Sequence, residues 1–446
     1  MPFFSRKPSL ESLPGFAMPA DCMQTLHSAS AFRQALLELI RSAKVRIHLA
    51  ALYLQQDEGG EEVLEALYQA ASSNPQLDVR LFVDAHRAQR GLIGQGKQAG
   101  NAAWYRQRAQ QQPLANLAIY GVPAQSKELF GVMHLKGFII DSDVLYSGAS
   151  LNNVYLHVGE RYRFDRYHLL HHAELADSMS HYLIAQLATD PAVIRLDRPS
   201  ETDGRTQRQL IRQLRQKLAH TQYRLPPGTH RSTSIHPVCG QGRGNPFNGL
   251  LLQLLRQPMR QLVICTPYFN LPRSVLLQID ALLAHGVNVE IIVGDKQAND
   301  FYIPPEQAFK VIGCLPYLYE MNLRRFARKR QSYLQNGQLT LRLWKHDGNS
   351  YHLKGLWIDQ QYMLITGNNL NPRAFNLDLE NGLLIHDPQH ILQAQITEEL
   401  TNIRQHTTVL SHYRQLQKLQ DYPEKVRKLL GRLGKFRIDR LFYRLL

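Results

Sequence analysis

HLKGFIID at residues 134–141 and HLKGLWID at residues 352–359 agree at six of eight positions, every polar one included. Each octet has an apolar interior and reads as a β-strand, on which residues two apart face the same way. His134 and Lys136 therefore project together, as do His352 and Lys354, while the leucine between them turns to the core. Asp141 and Asp359 close the octets next to the following turn.

The surroundings of the octets repeat as well. VRIHLAALYLQQ at 45–56 matches RQLVICTPYFNL at 260–271, VRLFVDAH at 79–86 matches VEIIVGDK at 289–296, and the polar turn SGASLNN at 147–153 matches TGNNLNP at 366–372. The offsets are 215 from Tyr53 to Tyr268, 210 from Val79 to Val289 and 218 from His134 to His352. Between the apolar runs lie helical spacings, Val63, Leu64 and Leu67 in one copy and Val275, Leu276, Ile279, Leu282 and Leu283 in the other. That alternation predicts layered α/β units. We expect a tandem duplication: a first half at 1–195, a basic linker or helix at 196–232, a second half at 233–405 and a basic helical tail at 406–446. The linker carries Leu210, Ile211, Leu214 and Leu218 at helical spacing.

One His-x-Lys strand is ordinarily a surface pair or a satisfied histidine. Two copies brought together by duplication put two imidazoles and two ammonium groups around one cavity. That set suits phosphoryl transfer, in which spread negative charge is stabilised by fixed cations. One histidine attacks phosphorus and the other protonates the leaving oxygen, then deprotonates an incoming alcohol. No metal or cofactor is required.

The 446-residue chain holds 52 Lys and Arg against 37 Asp and Glu, a net charge of +15, which favours anionic partners such as a lipid surface, nucleic acid or a phosphorylated substrate. Its four cysteines, Cys22, Cys239, Cys265 and Cys314, have neither zinc-site nor disulfide-framework spacing, and suit a reducing cytoplasmic setting. The opening MPFFSRKP leads into no signal-type apolar run, and no stretch of 18 apolar residues occurs. Membrane contact is therefore expected to be peripheral.

The paired H-x-K-x4-D motifs resemble those of the phospholipase D superfamily, and so do the turns that follow. Gly367, Asn369, Asn371, Pro372, Arg373, Asn376 and Glu380 fit that family's pattern well. Gly148, Ser150, Asn152 and Asn153 fit it less well, with Ser150 in the place of Asn369 and Glu160 as a loose counterpart of Glu380. Longer segments resemble bacterial phosphatidylserine synthases of the phospholipase D-like type: HRAQRGLIG at 86–94, LYSGASLNNVYLH at 145–157, VGDKQANDFYIP at 293–304, LPYLYEMNLRRF at 315–326 and YPEKVRKLL at 422–430. The resemblance implies two phospholipase D-like α/β domains, each a mixed sheet flanked by helices, forming one pseudo-twofold unit.

It further implies transfer of a phosphatidyl group from CDP-diacylglycerol to L-serine, with release of CMP, through a phosphatidyl-histidine. Family habit favours His134 as nucleophile and His352 as acid and base, although near-identical octets leave the assignment open. Lys136 and Lys354 would hold phosphate oxygens. Asp141 and Asp359 would orient and charge-balance the site, or else be plain strand-end turn residues. Ser150, Asn152, Asn369 and Asn371 are candidate substrate contacts, and Glu380 a candidate carboxylate for fixing a histidine tautomer.

Loops after strand ends add further candidates: His86, Arg87 and Arg90 in one half, and Asp295, Lys296, Asn299, Asp300 and Tyr302 in the other, for the cytidine diphosphate or the serine. Tyr268 lines the cleft or packs in the core. In the tail, residues 423–446 hold eight basic and two acidic residues. Val426, Leu429, Leu430 and Leu433 form one apolar stripe, and Ile438, Leu441, Phe442 and Leu445 another. This predicts an amphipathic helix on an anionic phospholipid surface, or alternatively one packed on the domain; the same charge suits ribosomal RNA. Residues 313–334 offer a second lipid-facing helix. The rival readings are a cardiolipin synthase or phospholipase D, a nuclease, and a basic binding protein without catalysis.

Overall fold

The computed structural model describes residue 10 and residues 13–90, 100–199, 204–226, 232–257, 259–304 and 306–435. Two large mixed sheets hold the chain together, and their orders repeat the duplication. The first sheet runs, edge to edge, Ile194–Arg195, Leu117–Val122, Asp78–Asp84, Arg46–Ala50, Gly137–Ile140, Asp143–Ser147, Tyr167–His171, Met23–Leu26. The second runs Thr407–Leu410, Leu339–Trp344, Asn288–Gly294, Gln261–Thr266, Gly355–Ile358, Tyr362–Thr366, Leu379–His386, Ser234–Gln241, with Phe16–Ala17 added at the edge. Strand for strand these are the same sheet.

In each sheet three parallel strands carry the near-continuous apolar runs expected of strands covered on both faces. The octet strand then pairs antiparallel with the first of them, Ile47 opposite Ile140 and Leu262 opposite Ile358. The second sheet takes in strands from both sides of 233–405: Thr407–Leu410 beyond its end, and Phe16–Ala17 from the N-terminal region.

The outer faces are covered by amphipathic helices. Ala29–Ser42 and Glu58–Ser73 bury Phe32, Leu36, Ile40, Val63, Leu64 and Leu67 against the first sheet. Arg273–Ala284 buries Val275, Ile279 and Leu283 against the second. The inner faces share one core, in which Tyr146, Met179 and Tyr182 of the first half meet Cys265, Trp357 and Ile365 of the second. The linker helix Gly204–Leu218 joins this shared core through Ile211, Leu214 and Leu218. All four cysteines are free and buried.

The tail differs from the lipid-facing expectation. Helix Glu424–Lys435 buries Val426 and Leu430 against Cys314, Tyr317 and Leu318, and the Tyr422 hydroxyl donates to the Tyr317 carbonyl at 3.2 Å. Covering each such side chain is worth about 1.5–3 kcal/mol, so Val426 and Leu430 pack on the protein. Ile438, Leu441, Phe442 and Leu445 lie outside the described residues. Helix Leu315–Lys329 likewise turns Leu318, Leu323 and Phe326 inward and leaves Arg325, Arg328 and Lys329 exposed. No helix among the described residues is long and apolar enough to cross a membrane.

Candidate active site

The two octets meet across the junction between the halves. Met133 bridges Leu379, and the His134 amide donates to the Leu379 carbonyl at 2.8 Å. In the related position Ser350–Tyr351 pairs with Arg163–Phe164, and the His352 amide donates to the Phe164 carbonyl at 2.8 Å. Each histidine is thus hung on the other half's backbone, beside that half's carboxylate. His134 Nδ1 lies 3.0 Å from both oxygens of Glu380, and His352 Nδ1 lies 2.6 Å from Asp165 Oδ2. All four residues are at most 9% exposed.

Residues 132–134 are fixed further by two buried carboxylates. Asp378 accepts from the Val132 amide at 2.9 Å and Asp84 from the Met133 amide at 2.8 Å. With Nδ1 engaged by a carboxylate, the lone pair available for attack is on Nε2. His134 Nε2 forms no hydrogen bond among the described residues. His352 Nε2 lies 3.1 Å from the Tyr155 hydroxyl and 2.9 Å from Lys354 Nζ.

The lysines are almost completely buried. Lys136 Nζ donates to the Ala149 carbonyl at 3.0 Å and to Ser150 Oγ at 3.3 Å, while Lys354 Nζ lies 3.4 Å from Asp165. Lys136 also packs against the second half, where a methyl group on Gly367 would meet its Cγ at 2.8 Å. Burial, then repulsion from Lys354, brings Lys136 down to about 7. Burial brings Lys354 down to about 8 against the pull of Asp165. His352 is held at about 4 by burial and by Lys354, and His134 well below its ordinary value by burial, both lysines and His352. Both imidazoles are neutral at physiological pH, and the two octets share one electrostatic field.

The remaining expected residues divide. Asp141 and Asp359 do not reach the cavity. Both adopt a left-handed φ of 50° at the far end of the octet strand. Asp141 accepts from the Lys44, Val45 and Arg46 amides at 2.8–3.0 Å, and Asp359 from Arg260 and Gln261 at 2.7–3.1 Å. They clamp the neighbouring strand, because an octet strand of four residues carries its eighth position away from its first. Asn152 and Asn371 are helix caps, accepting from the Tyr155 and Ala374 amides. Asn369 and Asn371 both donate to the Tyr268 hydroxyl, at 3.2 and 3.1 Å, so Asn369 positions Tyr268 while Ser150 touches the buried lysine.

Tyr268 stacks on Tyr319 with centroids 4.3 Å apart and borders a small cavity with Asp295, Lys296 and Asn299. Arg87 lies 5.1 Å over the Tyr53 ring and 3.6 Å from Glu128. Among the described residues no group of three His, Cys, Asp or Glu side chains is placed to hold a metal ion.

Asp165 is the residue the sequence reading missed. Glu160 is not the counterpart of Glu380; Asp165 is, because it follows Phe164 as Glu380 follows Leu379, and those two carbonyls take the two histidine amides. An apolar residue followed by an acid, just ahead of or opening the next strand, was the available signal. Tyr155, buried, and Arg163, partly buried, stand in the wall beside His352 and were not singled out.

A family model described as "Cardiolipin synthase, PLD-like domain" matches residues 36–182 and again 251–404. The chain is 50% identical to CDP-diacylglycerol–serine O-phosphatidyltransferase PssA of Escherichia coli, over 98% of this chain and 97% of the relative. It is 49% identical to the corresponding enzyme of Haemophilus influenzae, over 97% and 96%. The crystal structure of phosphatidylserine synthase from Haemophilus influenzae superposes with a TM-score of 0.95, covering 98% of each chain at 48% identity. The duplicated fold, the paired octets and this full-length similarity place the chain in the phospholipase D superfamily, as a member of the bacterial CDP-diacylglycerol–serine O-phosphatidyltransferase family.

Proposed function

We propose that this chain transfers the phosphatidyl group of CDP-diacylglycerol to L-serine, giving phosphatidylserine and CMP. The observation that carries the reading is the pair of imidazoles, each held at Nδ1 by a carboxylate of the opposite half and set among two buried lysines.

His134 Nε2, free of hydrogen bonds among the described residues, attacks the phosphorus that bears the diacylglycerol. The bond to the CMP oxygen breaks, and CMP leaves as a phosphate anion. His352, neutral in the resting site, then takes the proton of the serine hydroxyl as its oxygen attacks the same phosphorus and the P–Nε2 bond breaks. Lys136 and Lys354 counter the charge on the phosphate oxygens, and Ser150 supports Lys136. Asp141 and Asp359 take no part in these steps.

A substrate with two acyl chains is met at a lipid surface. The exposed Arg325, Arg328 and Lys329, with the excess of basic residues at 423–446, suit anionic phospholipid on the cytoplasmic side. Ribosomal RNA offers the same phosphate chemistry, and co-sedimentation with anionic vesicles against co-sedimentation with ribosomes separates the two.

Purified protein given CDP-diacylglycerol in detergent micelles should release CMP in proportion to added L-serine. Serine-independent release would assign a hydrolase or another acceptor. Absence of release together with DNA cleavage would overturn the assignment. A His352→Ala variant should retain acid-labile lipid label on His134, and no label on either histidine would remove the covalent step.

A further inference from the structure

The wall beside His352 holds a pair of opposite charges that the phosphoryl transfer leaves unused. Arg163, from the strand that seats His352, bridges to Asp300 of the second half, with Nη2 and Oδ1 2.8 Å apart. The pair spans the junction between the halves. Its side chains keep 16% and 25% of their surface, so the pair is largely but not fully desolvated. Arg163 lies 4.5 Å over the Tyr155 ring, and the Tyr155 hydroxyl lies 3.1 Å from His352 Nε2. Carboxylate, guanidinium and base are therefore linked by successive contacts, Asp300 to Arg163 to Tyr155 to His352.

The duplication does not explain this pair. At the related position of the second half stands Asp378, whose partner Arg373 comes from its own half, at 3.2 Å. Among the described residues the His134 side thus has no equivalent ion pair reaching across the junction from this position. The acceptor in the reading above is a zwitterion: a hydroxyl that must meet His352, an ammonium group and a carboxylate.

We propose that Arg163 and Asp300 form the acceptor site, Arg163 receiving the carboxylate of the amino acid and Asp300 its ammonium group while the hydroxyl lies against His352 Nε2. This rests on the assignment of His352 as the base of the second step. It makes the pair a specificity device. Water and neutral alcohols reach the same phosphorus without engaging either charge, whereas an α-amino acid replaces part of the Arg163–Asp300 contact with two of its own. Charge-assisted hydrogen bonds of this kind discriminate strongly, because an acceptor lacking one partner leaves a half-buried charge unmatched.

The test is an acceptor panel: L-serine, ethanolamine, which lacks the carboxylate, and hydroxypropionate, which lacks the amine. The wild type should prefer L-serine over both. Asp300→Asn should raise the half-saturating serine concentration about tenfold or more, with that for CDP-diacylglycerol moving about twofold at most, and should shrink the preference for serine over hydroxypropionate. Arg163→Gln should shrink the preference for serine over ethanolamine.

The charge-swapped double variant, Arg163→Asp with Asp300→Arg, keeps an ion pair across the junction and serves as the control for a simple latch. If it restores both thermal stability and serine preference, or if the single variants lose all acceptors equally, the pair is a latch and the proposal fails. A wild type that releases CMP without regard to serine would instead overturn the functional reading itself.

Discussion

Asp165 and His352 stand 187 positions apart and 2.6 Å from one another, Oδ2 to Nδ1, and the duplicate of this contact is Glu380 with His134. The two pairs are alike in geometry and unlike in charge. Burial pushes Asp165 up, but Lys354 and His352 outweigh it and hold the carboxyl below its ordinary value. Glu380 is driven well above its ordinary value by burial and by Asp378. Asp165 therefore orients an imidazole as an anion, whereas burial works against the charged form of Glu380. Asp165→Asn should lower kcat about a hundredfold or more with the fold intact by near-ultraviolet circular dichroism. Steady-state CMP release decides it, and a loss of less than about threefold would reduce Asp165 to a spacer.

The lysines set a pH limit. Lys136 at about 7 and Lys354 at about 8 carry charge only below those values. His352, at about 4, is already neutral above pH 5. The sign follows: kcat/KM for CDP-diacylglycerol, which reports the free enzyme, should be level between pH 5 and 7 and fall as pH rises through 7 and 8. Bound phosphate favours the charged lysines, so kcat should hold to higher pH than kcat/KM. A profile that rises through pH 8 would show the lysines to be fully charged in the empty site.

Asp141 and Asp359 belong to stability. Asp141→Ala strands three backbone amides and places alanine at a φ of 50°. Unfolding free energy from urea titration should fall by about 1–3 kcal/mol, while kcat of the folded fraction stays within about twofold. A loss of kcat comparable to that of His134→Ala would return this aspartate to the reaction.

Much of this was legible because the chain states it twice. The octets, the parallel strands and the turns could be aligned within the sequence, and two-residue periodicity put His134 with Lys136 and His352 with Lys354. Contacts made across the junction escaped that reading. Asp165 lies 17 positions after Gly148, while Glu380 lies 13 after Gly367, so the acid at the nearest spacing was Glu160, 12 after Gly148. Conversely, Asp141 and Asp359 sit in the motif, yet strand geometry carries them to the far end. The tail showed its apolar stripe, but periodicity alone does not say whether lipid or protein covers Val426 and Leu430.

Behind the catalytic strands lies a buried cluster that should govern acid stability. Arg166 donates to both oxygens of Glu399, at 2.7 and 2.9 Å, and to the Leu364 carbonyl at 2.9 Å, while His168 lies 3.1 Å from the same carboxylate. Arg166 also covers Trp357, 4.1 Å over its ring, and fills the space beside Gly355, where a methyl group would collide with its Nη1. Burial alone would raise Glu399, but Arg166 and His168 outweigh it and pull the carboxyl far below its ordinary 4.5. A depressed carboxylate contributes stability that is present above its unfolded value and lost as pH falls toward its folded one. The wild type should therefore lose thermal stability progressively below about pH 4.5. Glu399→Gln leaves Arg166 buried without a counter-charge and should cost about 3–5 kcal/mol at neutral pH, while flattening the acid limb of the stability profile. Differential scanning calorimetry of the two proteins from about pH 2 to 7 checks both effects. A variant as stable as the wild type at pH 7 would show that the Glu399 charge contributes nothing net to holding the two halves together.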